Sequence, residues 1–165
     1  MNIFYKYSLS IPEILQENSS ENNKLNYNGN LDDLGHLHGN GKISNNLLTI
    51  TGNFIHGISN INNCNINAKN GLLYDGNIVN NMLSGKNVSL TLPDGTSYYG
   101  SLKYGLPQNI GSLYIPHMYY KFIGKWNNGF KCGSGHEEYK IGNNVLERFI
   151  GNWDNDDRSG FGIIL

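Results

Sequence analysis

Three places in the sequence hold side chains that could do chemistry. His36-Leu37-His38 puts two imidazoles on one face of an extended segment, close behind Asp32 and Asp33. Zinc would need further nitrogen or sulfur ligands at tetrahedral positions, and Cys64 and Cys132 are far away in sequence. The expectation is two exposed polar residues and no metal site. His136-Glu137-Glu138 offers acid–base groups, but no nucleophile elbow, phosphate loop or second carboxylate cluster accompanies it. The cysteines form no metal-spaced pair, and Cys132, set among glycines, reads as a small apolar packing residue rather than a reactive thiol. The chain is expected to have no catalytic residues and no cofactor.

The totals narrow the class further. A length of 165 residues suits one domain. There are 21 glycines but only 4 prolines, which argues against a disordered linker. Twenty-eight asparagines are an extreme count, so isolated Asn motifs carry little meaning. The net charge of −1 lacks the basic footprint of a nucleic-acid binder, and no nucleic-acid partner is expected. The charge is uneven, with a mildly basic middle (residues 49–131) between acidic ends. With no signal-like apolar segment and no long apolar run, the expectation is an intracellular, cytoplasmic protein with reduced thiols.

The elements that would position these residues follow from a repeat. In the stretch FIGKWNNGFKCGSG, Phe122, Gly124, Trp126, Gly129, Gly133 and Gly135 define offsets 0, +2, +4, +7, +11 and +13. The same pattern starts at Phe149 and Tyr98, and more loosely at Tyr74, Ile50 and Tyr27, where asparagine or aliphatic residues fill several slots. Such regular self-similarity marks a repeat architecture. Large and small residues alternate with period 2, which is a strand pattern. Asn128-Gly129 predicts a two-residue hairpin turn with positive φ at both positions. That turn would set Trp126 opposite Lys131, Gly124 opposite Gly133 and Phe122 opposite Gly135. Each glycine then leaves a gap across which a ring can lie. Pro93-Asp94-Gly95 and Asn70-Gly71 supply turns between units.

The YxGxWxxGxxxGxG pattern over residues 25–165 resembles the MORN repeat (membrane occupation and recognition nexus). The resemblance implies an all-β, elongated single-layer antiparallel sheet of about six consecutive hairpins, with a groove on one face. It also implies a non-catalytic role in scaffolding, dimerisation and tethering of partners, in some members at cytoskeletal or cortical structures. Tyr74, Tyr98, Phe122, Trp126, Phe149 and Trp153 would line the groove and bind a protein partner, since aromatic anchors dominate binding energetics. Lys103, Lys121 and Lys125 fall at odd offsets, on the opposite face, and are the candidates for contact with an anionic membrane. The alternative functions are accordingly a peripheral membrane adaptor or a regulatory subunit of a separate enzyme.

Residues 1–24 fall outside the repeat and read as a cap or a partner-binding arm. IFYKYSLS suggests a strand covering the first sheet edge, and Ser10-Ile11-Pro12-Glu13 a capping box for a helix to about Glu17. At the other end, Gly162-Ile163-Ile164-Leu165 is an apolar edge that invites homodimer pairing.

Overall fold

A computed structural model of the chain describes residues 4, 9–17, 20, 23–142 and 145–165. Among these, twelve strands form one open antiparallel sheet in which each strand pairs with its sequence neighbours. They are β1 (Asn26–Leu31), β2 (Leu37–Ser44), β3 (Leu48–Phe54), β4 (Ile61–Ala68), β5 (Leu73–Val79) and β6 (Met82–Thr91). The second half is β7 (Ser97–Lys103), β8 (Leu106–Ile115), β9 (Tyr120–Asn127), β10 (Phe130–Ile141), β11 (Val145–Asp154) and β12 (Asp157–Ile164). The odd-numbered strands carry the repeat anchors, so each repeat is one hairpin. The all-β single-sheet expectation holds.

The turn chemistry is as read from the sequence. Asn128 and Gly129 have φ of 48° and 84°, and Asn80-Asn81, Tyr104-Gly105 and Asn155-Asp156 show the same pair of positive values. The register departs from expectation beyond the turn. Trp126 does face Lys131, but Gly133 and Ser134 then bulge out of β10, so Gly124 faces Gly135 and Phe122 faces Glu137. Every hairpin has this irregularity at the corresponding place. Its mark is a left-handed residue on the returning strand: Gly39, Asn63, Asn87, Asn109, Gly133 or Gly160. Only glycine and asparagine enter that region readily. Asparagine at Asn109 therefore preserves the bulge instead of eroding the motif.

The bulge is what lets the rings lie down. It sets Gly124 directly against Gly135, and the Phe122 ring crosses both. A Cβ at Gly124 would sit 2.6 Å from Phe122 Cζ, and one at Gly135 would sit 2.7 Å from Phe122 Cε2. Where the anchor is tyrosine, its hydroxyl also serves the broken ladder. Tyr27 Oη donates to the Asn30 carbonyl at 2.9 Å, and Tyr98 Oη to the Ser101 carbonyl at 3.0 Å. Tyr74 Oη accepts from the backbone N–H groups of Asn77 and Ser84 at 3.0 and 3.1 Å.

The N-terminal segment lies on this ring-bearing face. Helix α1 (Ile11–Glu17) forms as expected, with the Ser10 hydroxyl bonded to the Glu13 carboxylate. Of the segment expected to cover the first sheet edge, the described residues Phe4, Leu9 and Ser10 lie instead against β6, β7 and β9. Ile11 N–H donates to the Asn81 carbonyl at 2.8 Å and Leu83 N–H to the Leu9 carbonyl at 3.1 Å, so the segment docks at the β5–β6 turn. Phe4 packs edge-on against Tyr98 and Trp126, with centroids 5.4 and 5.9 Å away. Here Ile78 and Leu102 stand in the tryptophan position. Phe4, Leu9, Ile11 and Ile14 join the same core and complete its cover. Most of the strand expected in IFYKYSLS lies outside the described residues.

Candidate functional site

The six rings expected to line a groove are brought together, but as core. Tyr74, Tyr98, Phe122, Trp126, Phe149 and Trp153 are only 0 to 6% exposed. Five of them interlock edge to face: Trp126 meets Phe122 and Tyr98 at 5.1 and 6.0 Å, and Trp153 meets Phe122 and Phe149 at 5.1 and 5.0 Å. In the folded chain these rings are spent on intramolecular packing. A single sheet has no second layer, so its own side chains and the docked N-terminal segment must cover the apolar face.

Over the last two hairpins that cover is ionic. Glu137, the residue the bulge sets opposite Phe122, is buried and accepts from Tyr120 Oη at 2.6 Å and Lys131 Nζ at 3.1 Å. Arg158 approaches its other oxygen through Nε at 3.0 Å and Nη2 at 2.9 Å. Arg158 continues to Glu147 at 3.0 Å, and Glu147 accepts from Tyr139 Oη at 2.5 Å. Both cations also lie over rings, Lys131 5.4 Å from Phe122 and Arg158 4.3 Å from Phe149. Burial opposes ionisation of Glu137, but Tyr120, Lys131 and Arg158 outweigh it and hold the carboxyl below its ordinary range. Burial, with the nearby acid Glu137, drives the Tyr120 hydroxyl upward. The two carboxylates of His136-Glu137-Glu138 are thus both taken up by cations from elsewhere in the chain, Glu137 by Lys131 and Arg158. Glu138 is held by Arg148 at 2.9 Å and lies 3.8 Å from Lys121. Burial pushes the Cys64 thiol up to about 12, aided by Asp75, far from a reactive thiolate.

The accessible apolar surface lies on the other face. One row of directly opposed residues crosses the whole sheet there, because each pairing hands the row to the next strand. Its first half is polar: Asn28, Lys42, Thr51, Asn65, Asp75 and Ser89. Its second half is Tyr99, Ser112, Ile123, His136, Ile150 and Ile163. Tyr99, Ile123, Ile150 and Ile163 are between 46% and 61% exposed. Tyr99, Tyr114, Ile123 and Lys121 border a shallow hollow on this face. Lys121 and Lys125 flank Ile123 on the same face, and Lys103 lies beside Tyr104 with its Nζ 5.6 Å from that ring. On the odd-numbered strands the row is the +1 position of the repeat template (Asn28, Thr51, Asp75, Tyr99, Ile123 and Ile150). Its members on the returning strands are set by the bulged register, which the template does not show.

No family model matches this chain, and no curated protein matches it. Among the described residues, no helix is long and apolar enough to cross a membrane.

Proposed function

We propose that the chain is a non-catalytic, MORN-like scaffold that binds a protein partner across the outer face of its C-terminal half. The observation that carries this reading is the in-register row Tyr99, Ile123, Ile150 and Ile163, exposed on a face that, among the described residues, no second layer covers. Four exposed apolar side chains gathered in one row, with only Ser112 and His136 between them, form the kind of patch that marks interaction sites. The neutralised ionic cluster on the inner face, with its acids and bases tied to each other, supports a packing role there. The outer row runs to β12, all of whose residues are exposed, with Phe161 97% exposed. A second copy of the chain can extend the sheet or the row at that strand.

A peripheral membrane adaptor is the competing reading, because Lys121 and Lys125 stand beside Ile123. The ion pair of Lys121 with Glu138 reduces the charge available to lipid headgroups and favours protein. The deciding experiment is affinity capture from the native cell with wild type, Ile123→Asp and Ser89→Asp. Loss of the same captured protein with Ile123→Asp alone supports the proposal, and equal recovery from all three sinks it. Co-sedimentation with phosphatidylserine vesicles that disappears in a Lys121→Glu, Lys125→Glu double variant would establish the membrane reading instead.

A further inference from the structure

The two histidines of His36-Leu37-His38 were short of ligands in sequence, and the fold supplies one from 18 residues beyond His38. His56 opens the β3–β4 turn with φ of 49°, and Gly57 N–H donates to the Leu37 carbonyl at 2.8 Å, which ties that turn to β2 beside His38. The imidazoles of His38 and His56 lie 4.7 Å apart, centroid to centroid, and tilted by 41°. Asp32 completes the cluster from the β1–β2 turn. Its Oδ1 accepts from the backbone N–H groups of Leu34 and His36 at 3.0 and 2.8 Å, which fixes the carboxylate. Its Oδ2 is left facing the imidazoles, 2.7 Å from His56 Nδ1 and 3.3 Å from His36 Nδ1.

We propose that Asp32, His38 and His56 form a zinc-class transition-metal site that staples the first hairpin to the second. One ligand atom from each lies within 4.8 Å of the others. Tetrahedral zinc at ordinary bond lengths separates its ligands by about 3.4 Å, so small rotations of exposed imidazoles close the site. Two imidazoles and one carboxylate suit zinc and its neighbours in the first transition row, and not calcium or magnesium, which prefer all-oxygen shells. The N–H bonds to Oδ1 are the kind of outer support that orients a metal-bound carboxylate. Three protein ligands leave a fourth position open to water, and the His36 backbone N–H holds the carboxylate through its other oxygen, Oδ1.

The location gives the metal a structural task. β1 is the most exposed strand on the N-terminal side of the sheet, with Tyr27 its one partly buried residue, and Leu31 and Leu34 lie in solvent. A metal joining the β1–β2 turn, β2 and the β3–β4 turn would hold the end of the ribbon where apolar packing is thin. Binding only to the folded chain raises stability by mass action.

The test is isothermal titration of zinc chloride into the full chain, free of any affinity tag and carrying Cys132→Ser. One saturable zinc per chain in the micromolar range or tighter is expected, with a higher melting temperature and no response to magnesium or calcium. His56→Ala and Asp32→Asn should each weaken binding by about tenfold or more. His56 is 66% exposed, so its removal leaves the fold intact, checked by circular dichroism. Cobalt in place of zinc should give the visible bands of a tetrahedral centre. Absence of saturable zinc binding below millimolar concentrations, or unchanged affinity in both variants, overturns the assignment.

Discussion

The two halves of the sheet solve the inner face by the same geometry and treat the outer face differently. Inside, the first three hairpins place Leu31, Phe54 and Ile78 where the last three place Leu102, Trp126 and Trp153, and all of these except the terminal Leu31 are buried. The Tyr27 ring meets Phe54 edge-on at 5.6 Å, much as Phe122 meets Trp126 at 5.1 Å. Outside, one continuous row changes from Thr51, Asn65, Asp75 and Ser89 to Tyr99, Ile123, Ile150 and Ile163. The lesson is about constraint. A buried position must be filled whatever its identity, whereas a solvated strand position is free to be polar. Apolar residues kept there on β7, β9, β11 and β12 therefore need a reason outside the isolated chain.

The sharpest way to break that comparison is to remove one ring from each half. Phe122→Ala should lower unfolding free energy by about 3–5 kcal/mol, because a fully buried ring leaves a cavity over two glycines. Tyr27→Ala, on a half-exposed ring, should cost roughly 1–2 kcal/mol. Urea denaturation reads both, and equal losses would mean that the halves are packed alike.

Next in size is the docked segment. Ile11→Ala should cost about 2–4 kcal/mol if the N-terminal segment is part of the core. A change below about 0.5 kcal/mol, with unaltered near-ultraviolet dichroism, would instead make that segment a detachable arm.

The ionic cover of the last hairpins makes a pH prediction. Glu137 has a depressed pKa in the fold, so its stabilisation is complete above the unfolded value of about 4.3. It is lost as pH falls through the lower folded value. Glu137→Gln should therefore cost about 1.5–3 kcal/mol at neutral pH, and the gap from wild type should narrow in acid. A gap that stays constant down to pH about 3 would remove Glu137 as its source.

The smallest effect on stability belongs to the outer row. Ile123→Asp and Ser89→Asp should both change it by no more than about 0.5 kcal/mol. Their difference should appear in association. Light scattering of concentrated wild type, Ile163→Lys and Phe161→Ser shows whether β12 joins two copies, and a monomer throughout would leave the row to a foreign partner alone.

Much of this was legible from residue types. The offsets of Phe122, Gly124 and Trp126 dictated strands because period 2 is a property of the extended backbone. Asn128-Gly129 dictated its turn because few residues accept positive φ. Ser10 and Glu13 marked a helix start because their side chains meet across its first turn. The bulge was half-written, in the recurrence of glycine or asparagine near +11 and +13. Its register effect was hidden because an unpaired residue leaves the local alternation intact on either side.

What the sequence by itself determined was the repeating hairpin, since propensities, turns and alternation act within a few residues. Only the tertiary structure decided which surfaces are left over. The burial of the six rings depends on Phe4, Ile11 and Arg158 arriving from elsewhere in the chain. The outer row depends on pairings accumulated across twelve strands. The meeting of Asp32 and His38 with His56 depends on two turns lying side by side. Contacts of that range are set by register and docking, and no local pattern encodes them.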